Sequence, residues 1–173
     1  EFYFYNETIH PDPYSHAFQY ANSVRKKQSV TGSWYFHRFT GIEKYTHTRR
    51  GLDLTYGDGE KERYGGILIR AVKRLSDNHM ILGPSRVVGE IISAMDNRQQ
   101  LDEIAFAMQA GLAFDPKSLL FLTPLKTNRD LPIYSTSRFG ISDKNPVYQQ
   151  KHYRFFTDPT IVKKTAIIKT ESL

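Results

Sequence analysis

The sequence predicts one mixed domain, built from short strands and a few helices, over residues 1–173. A chain of this length normally folds as a single domain, and contents of 39% hydrophobic and 24% charged residues are ordinary for a globular protein. Short aromatic or apolar runs between turn residues predominate in the first half, whereas apolar residues at helical spacing appear in the second half. No internal repeat or low-complexity tract divides the sequence.

Strands are expected through most of the first half. Aromatic and β-branched residues between turn signals predict them at 2–5, 34–39, 52–56 and 66–72. Two prolines in the turn at 10–14 end the first strand, because proline cannot donate to a ladder. Asp12 or Ser15 then caps a helix that carries Ala17, Ala21 and Val24 on one face.

Helices are expected mainly in the second half. Pro84 suits the first position of a helix that extends to about Met95. Apolar residues repeat at helical spacing again over 101–108, and Gly111 is a typical residue for the end of that helix. Short apolar or aromatic runs predict further strands at 119–122, 133–134, 139–141 and 153–156.

The charge balance favours an anionic partner. The chain has 24 Lys and Arg residues against 18 acidic ones, a formal charge of +6. The excess is concentrated in 16–52, where aromatic residues alternate with cations as nucleic-acid binding requires; a merely solvated surface is the alternative. The cations expected to contact phosphates are Arg25, Lys26, Lys27, Arg49 and Arg50.

Cysteine is absent, which excludes disulfides, thiolate zinc sites and cysteine nucleophiles. This composition favours an intracellular protein, cytoplasmic or nuclear. No apolar run approaches the roughly 20 residues of a membrane-spanning helix, and no signal-peptide pattern is recognisable. We therefore expect no membrane partner, and we expect a monomer.

The first candidate site lies around the proline-rich turn, where two carboxylates and two imidazoles occur within ten residues. His10, Asp12 and His16 are residue types that bind metals, so one hypothesis is a metal site. A second hypothesis is that Glu7 is a general base that activates water without a metal. The third is structural: Asp12 and Ser15 cap the following helix, and both histidines lie at the surface.

The second candidate site follows from strand alternation. Tyr35 and His37 share one face of the predicted strand, and Trp34 and Phe36 share the other. Tyr35 and His37 would form a wall on which a flat base stacks, while Trp34 and Phe36 suit a hydrophobic core.

The third candidate is an acid within a leucine-rich strand. Asp53 lies between two leucines, and a carboxylate there is costly unless it is exposed or hydrogen-bonded. Asp53 is therefore either a site residue or a cross-strand partner of Arg70, which is itself unusual in an apolar strand. The common motifs of phosphate loops, dinucleotide folds, zinc proteases and serine hydrolases do not occur.

Short motifs follow one another along nearly the whole chain: Glu7-Thr8, the turn at 12–16, Gly32-Ser-Trp-Tyr-Phe-His37, Gly51-Leu-Asp-Leu54, Gly66-Ile-Leu-Ile-Arg70-Ala, Gly83-Pro84-Ser85-Arg86, Ser137-Arg138-Phe139-Gly140-Ile141 and Tyr153-Arg154-Phe155-Phe156. Each motif is weak alone, but their order resembles the alkyladenine (3-methyladenine) DNA glycosylase family, of which the chain would be a divergent member. The resemblance implies an α+β single domain with a curved, mainly antiparallel sheet and a few packed helices, a fold that is also formyltransferase C-terminal-domain-like. It implies a DNA repair enzyme that flips a damaged or alkylated purine out of duplex DNA. Such an enzyme hydrolyses the N-glycosidic bond without a metal or other cofactor.

The resemblance also assigns roles by position. Glu7 matches the general base, and His16 matches a pocket histidine. His37 and Ile9 fall where the family has stacking aromatic residues, and Asp53 falls where it has an asparagine that gates base entry. If Asp53 lies near Glu7, repulsion between the carboxylates raises one pKa and gives an acid and base pair. The predicted catalytic residues are thus Glu7 and Asp53, and the predicted substrate-binding residues are His10, Asp12, His16, Tyr35, His37 and Arg70.

Two alternatives stay open. A nucleic-acid-binding module can keep the same fold without the reaction, in which case Glu7 is dispensable. A metal-dependent hydrolase would instead use the His10, Asp12 and His16 cluster.

Overall fold

The computed structural model describes residues 1–19, 21–37, 50–95, 111–124, 131–162 and 167–169. These residues form ten strands, four α-helices and two single turns of 3-10 helix, at Gly59–Lys61 and Pro159–Ile161. In chain order the strands and α-helices are β1 (Phe2–Asn6), β2 (His10–Pro11), α1 (His16–Gln19), α2 (Ala21–Gln28), β3 (Thr31–His37), β4 (Gly51–Tyr56), β5 (Tyr64–Leu68), β6 (Ala71–Lys73), β7 (Met80–Leu82), α3 (Pro84–Ala94), β8 (Tyr134–Thr136), α4 (Pro146–Gln149), β9 (Arg154–Phe156) and β10 (Ile168–Lys169).

The strands form one larger and two smaller sheets. The larger sheet has the order β2-β1-β5-β4-β3, a three-stranded sheet has the order β10-β8-β9, and β6 pairs with β7. All strand pairs within the described ranges are antiparallel. The predicted mixed α+β class with antiparallel sheets and few helices is therefore confirmed. None of the helices that the structure describes is long and apolar enough to span a membrane.

The hydrophobic core lies between the β3–β4 hairpin and α3. Trp34 and Phe36 of β3 pack with Leu52 of β4 against Val88 and Ile92 of α3. Helix α3 begins at a proline, as predicted, and an apolar stripe at helical spacing faces this sheet. Each fully buried aliphatic side chain contributes about 1.5–3 kcal/mol to folding.

The strand register places the other face of the hairpin at the candidate site. Tyr35 of β3 lies directly opposite Asp53 of β4, and His37 follows two residues later on the same face as Tyr35. Trp34 and Phe36 point into the core, as the alternation predicts. The pattern that builds the core therefore also collects Tyr35, His37 and Asp53 on the opposite face.

Several sequence predictions need correction. The predicted strand at 66–72 is two strands, because the chain leaves the large sheet at Leu68 and starts β6 at Ala71. Residues 139–141 are not a strand but a bend, with Gly140 at a φ of 79° that favours glycine. Residues 119–122 are also not a strand: the Leu120 carbonyl accepts a hydrogen bond of 2.8 Å from the Trp34 indole instead.

Two other predictions have different outcomes. Ser15, and not Asp12, caps α1, because its hydroxyl accepts from the backbone N–H of Ala17 at 3.3 Å. The predicted helix at 101–108 lies outside the described residues.

Candidate functional site

A buried acid and an imidazole form the centre of the candidate site. Asp53 is only 1% exposed, and His37 Nε2 lies 2.7 Å from its Oδ1. The two atoms lie at ion-pair distance, but the contact does not meet the geometry of a hydrogen bond. Gln28, at the end of α2, reaches Asp53 Oδ2 only at 3.5 Å. Asp53 Oδ1 is therefore buried without an aligned donor from any described residue.

Two glycines make the room for this pair. A Cβ at Gly51 would come within 2.9 Å of His37 Nδ1, and a Cβ at Gly66 would collide with the Asp53 carboxylate. Both glycines lie on strands of the large sheet, so the close approach follows from the strand pairing. The backbone at Gly51 therefore packs directly against the imidazole, and the backbone at Gly66 packs directly against the carboxylate.

A second imidazole and a phenol extend the centre. The rings of His16 and His37 are 4.2 Å apart between centroids and inclined by 51°. His16 Nδ1 lies 3.2 Å from the hydroxyl of Tyr35, whose ring is 5.4 Å from that of His37. The two imidazoles and the phenol therefore form one cluster, which touches the acid through His37.

This centre opens into a cleft of about 1010 Å³. Such a volume is large enough for a nucleoside-sized ligand. The polar side chains that line it and bear on function are His16, His37, Asp53, Arg50, Arg70 and Arg86. Arginines so arranged favour an anionic ligand whose uncharged part reaches the acid at the floor.

Arg70 pairs with Glu1 and not with Asp53, the partner that the sequence suggested. Its Nη1 donates to Glu1 Oε1 and to the carbonyl of Phe139, both at 3.2 Å. Asp53 is therefore not the cross-strand partner of Arg70. The guanidinium nevertheless lines the cleft, as a substrate-binding residue should.

Glu7 does not join the centre. It lies in the exposed turn after β1, and it is not among the residues that line the cleft. Of the predicted site residues, the cleft therefore brings together His16, His37 and Asp53 but not Glu7. Asp53 has no nearby carboxylate at Glu7 that would form the predicted acid and base pair.

Asp12 is committed to a structural ion pair. Arg138 Nη1 donates to its Oδ2 at 2.6 Å, and Nη2 donates to its Oδ1 at 3.2 Å, with both side chains fully buried. The backbone N–H of Tyr14 also donates to Asp12. A carboxylate with this many donors is unavailable to a substrate. The structure therefore gives Asp12 a structural role in place of the predicted substrate-binding role.

His10 lies in a separate aromatic cluster. Its ring contacts those of Phe4, Tyr148 and Tyr153, with centroids 5.4, 5.1 and 5.8 Å away. Burial lowers its pKa first, Lys151 and Arg138 add to that effect, and Asp12 opposes it. His10 is thus not at the cleft with His16, and no three metal-binding side chains converge anywhere in the described ranges. The hypothesis of a His10, Asp12 and His16 metal site is wrong.

The predicted phosphate-binding cations divide into three groups. Lys26 and Lys27 are exposed on α2, whereas Arg25 lies against the rings of Tyr5 and Tyr64. Arg50 lines the cleft, and its backbone exchanges two hydrogen bonds with the Ser85 hydroxyl. The predicted role of Arg49 falls outside the described residues.

Sequence reasoning missed two contributors. Gln28 carries no local signal, because a glutamine at the end of a basic helix is unremarkable until the fold brings it to Asp53. Arg86 lies in the first turn of α3, and the N-terminus of this helix borders the cleft. The sequence motif around Pro84 includes Arg86 but assigns it no role.

The fold and the site define an α+β protein with an acid–imidazole centre in a cationic cleft. The chain is similar to an uncharacterized protein of Acanthamoeba polyphaga mimivirus, with 29% identity over 175 residues that cover 95% of this chain and 76% of the viral protein. No family model matches the chain, and no solved structure matches it.

Proposed function

We propose that this chain is a DNA N-glycosylase-like hydrolase that extrudes a damaged or alkylated purine and cleaves its N-glycosidic bond. The observation that carries the proposal is the buried Asp53 carboxylate, 2.7 Å from His37 Nε2, at the floor of a cleft with three arginines. The order of motifs that resembles the alkyladenine DNA glycosylases supports the same assignment. The glycosylase-like fold is part of this proposal.

The carboxylate suits the chemistry because departure of a purine leaves positive charge on the sugar. Asp53 Oδ1 has no aligned donor among the described residues, so a lone pair is available to water or to the developing cation. In the proposed step, a water oxygen bonds to the anomeric carbon while the C–N bond breaks. The electron pair of that bond goes to the base, and the water proton goes to Asp53.

The imidazoles suit the leaving group. A protonated His16 would give its proton to the departing purine, and His37, with its Nε2 2.7 Å from Oδ1, holds the Asp53 carboxylate in place. The rings of His16 and His37 line the cleft and would contact a base that has left the stack, an extrusion that costs a few kcal/mol; Tyr35 is buried and would act only through His16 and His37. Arg50, Arg70 and Arg86 would contact the phosphates on either side.

This proposal moves the general base from Glu7 to Asp53. Glu7 is exposed outside the cleft, whereas Asp53 lies at its floor. Asp53→Asn and Glu7→Gln are therefore matched variants, because each replaces one carboxylate by an amide of nearly the same volume.

The test is excision from duplex oligonucleotides that carry hypoxanthine, ethenoadenine or an alkylated purine. We expect Asp53→Asn to lower the single-turnover rate by about 10²–10⁴-fold, the contribution of a positioned acid–base group, and Glu7→Gln to keep the wild-type rate. Loss of activity in Glu7→Gln alone would return the base to Glu7. Absence of product from every lesion with the wild-type protein would refute the enzymatic proposal.

A binding module on the same fold is the second candidate, favoured by the exposed Lys26 and Lys27 on α2. It predicts that log affinity for duplex DNA falls with log salt by about 0.9 per neutralised phosphate, with no excision. Binding that salt does not weaken would exclude it.

A further inference from the structure

A second cleft adjoins the first. Its volume is about 990 Å³, and it lies between the β6–β7 hairpin and β9. The two clefts are neighbours, because Arg70 and Phe139 line both of them. None of the proposed catalytic residues lines this second cleft.

The charges in the second cleft are unbalanced at one position. Arg154 of β9 is half-buried and has no ion-pair partner within the described ranges. The acids nearby have other partners: Glu1 is buried and pairs with Arg70 through Oε1, with no hydrogen bond to its Oε2 from the described residues, and Asp158 Oδ1 accepts from the backbone and hydroxyl of Thr160. Burial and then repulsion by Arg70 lower the pKa of Arg154, with Glu1 opposing them. A guanidinium in this position is stabilised by an anion that bridges it and Arg70.

The apolar walls indicate what accompanies the anion. Phe139 and Phe155 line the cleft and are 60% and 42% exposed, which is high for phenylalanine. Exposed aromatic rings beside a guanidinium form the combination on which nucleotide bases stack. Lys73 lies at the edge of the same cleft and adds to its positive charge.

We infer that the second cleft binds the phosphate of a nucleotide through Arg154 and Arg70, with the base stacked on Phe139. If the nucleotide is part of a DNA strand, the next nucleotide of that strand occupies the first cleft, and the inference then rests on the proposed function. A free nucleoside monophosphate has the same chemistry and is the other source. Arg154 is a binding residue in this scheme and does not take part in bond cleavage.

The experiment measures the affinity of the full chain for a labelled single-stranded oligonucleotide and for adenosine monophosphate over a range of salt. The variants are Arg154→Gln and Phe139→Leu. Arg63→Gln is the matched control, because Arg63 is exposed and lines neither cleft. Both variants should weaken binding about tenfold, and Arg154→Gln should lower the salt slope for the oligonucleotide by about 0.7. Arg63→Gln should change neither quantity.

Thermal unfolding without ligand shows whether a variant loses affinity because its fold is damaged or because a binding contact is gone. Since Arg154 faces a like charge, Arg154→Gln should leave the melting temperature unchanged or raise it. Arg154-dependent binding of the oligonucleotide supports the strand as the source, and dependence confined to adenosine monophosphate supports a free nucleotide. Unchanged affinity of Arg154→Gln for both probes overturns the inference. The excision test with Asp53→Asn is independent, so failure of one proposal is distinguishable from failure of the other.

Discussion

Two buried acids in this molecule have nearly the same exposure and opposite surroundings. Asp12 is 0% exposed and Asp53 is 1% exposed, and each lies beside a basic side chain. The Asp12–Arg138 pair is bidentate, and Arg138 Nη2 also donates to the carbonyl of Tyr148 at 2.7 Å. The Asp53–His37 pair has no aligned hydrogen bond and opens into a cleft.

The difference separates a structural acid from a candidate reactive one. Three tyrosine rings lie within 5.0–5.4 Å of the Arg138 guanidinium carbon and close the first pair off. Asp53 instead keeps an oxygen without an aligned donor in the described part of the chain, and unsatisfied buried groups are rare outside strained or functional sites. Hydrogen-bond satisfaction, more than burial, therefore distinguishes the two acids.

The largest expected effect is loss of the buried Asp12–Arg138 pair, called the sealed pair below. Arg138→Met leaves Asp12 buried without its main donors, and we expect the free energy of unfolding to fall by about 3–5 kcal/mol. Urea unfolding followed by tryptophan fluorescence measures this change. The double variant Asp12→Asn/Arg138→Met should recover most of the loss, because it removes the stranded charge. A loss below about 1 kcal/mol in the single variant would show that the pair is not structural.

The next effect comes from the packing around Asp53. Gly66→Ala places a methyl group against the Asp53 carboxylate, and such overpacking costs about 1–3 kcal/mol. The variant should also lose excision activity, since Asp53 must move. Gly89→Ala is the matched control within α3: nothing lies within 4 Å of its new methyl, so it should gain about 0.5–1 kcal/mol. Equal stability changes in the two variants would contradict the close approach at Gly66.

A smaller effect tests the second acid directly. Asp53→Asn removes a buried charge whose one hydrogen bond from a described side chain is the long one from Gln28 at 3.5 Å, so the free energy of unfolding should stay within about 1 kcal/mol of wild type. Urea unfolding of this variant beside Arg138→Met makes the comparison direct. A loss of about 3 kcal/mol or more would mean that Asp53 is a structural acid like Asp12.

The sequence predicted the part of this comparison that depends on local pattern. Alternation along β3 correctly put Trp34 and Phe36 in the core and Tyr35 and His37 on the other face. The unusual position of Asp53 in a leucine-rich strand identified it as a candidate before any contact was known. Such predictions succeed because strand periodicity fixes which side chains share a face.

The sequence did not predict which acid has which partner. Arg138 lies 126 residues from Asp12, and no local pattern couples them. His10 and His16 are close in the chain, yet β2 directs one to an aromatic cluster while α1 directs the other to the cleft. Partner choice is a tertiary property, set by the packing of the segment after β8 against the turn before α1.

The smallest effect concerns pH and the aromatic cluster near the sealed pair. His10 Nε2 is buried without a hydrogen-bond partner among described residues, and burial, Lys151 and Arg138 lower its pKa against the pull of Asp12. Above the ordinary value of 6.5 the imidazole is neutral in both states, so it adds no pH dependence. As the pH falls through that value, the unfolded chain takes up a proton more readily than the folded one, and stability decreases until the lowered folded value is reached.

His10→Gln removes that proton uptake and should flatten the decrease in stability between about pH 7 and pH 5. Denaturant midpoints of wild type and variant across this range measure it, with the difference at about pH 8 subtracted as the cost of changed packing. Parallel curves for the two proteins would show that His10 does not contribute. A flatter curve for the variant would show that the region around the sealed pair responds to acid through His10.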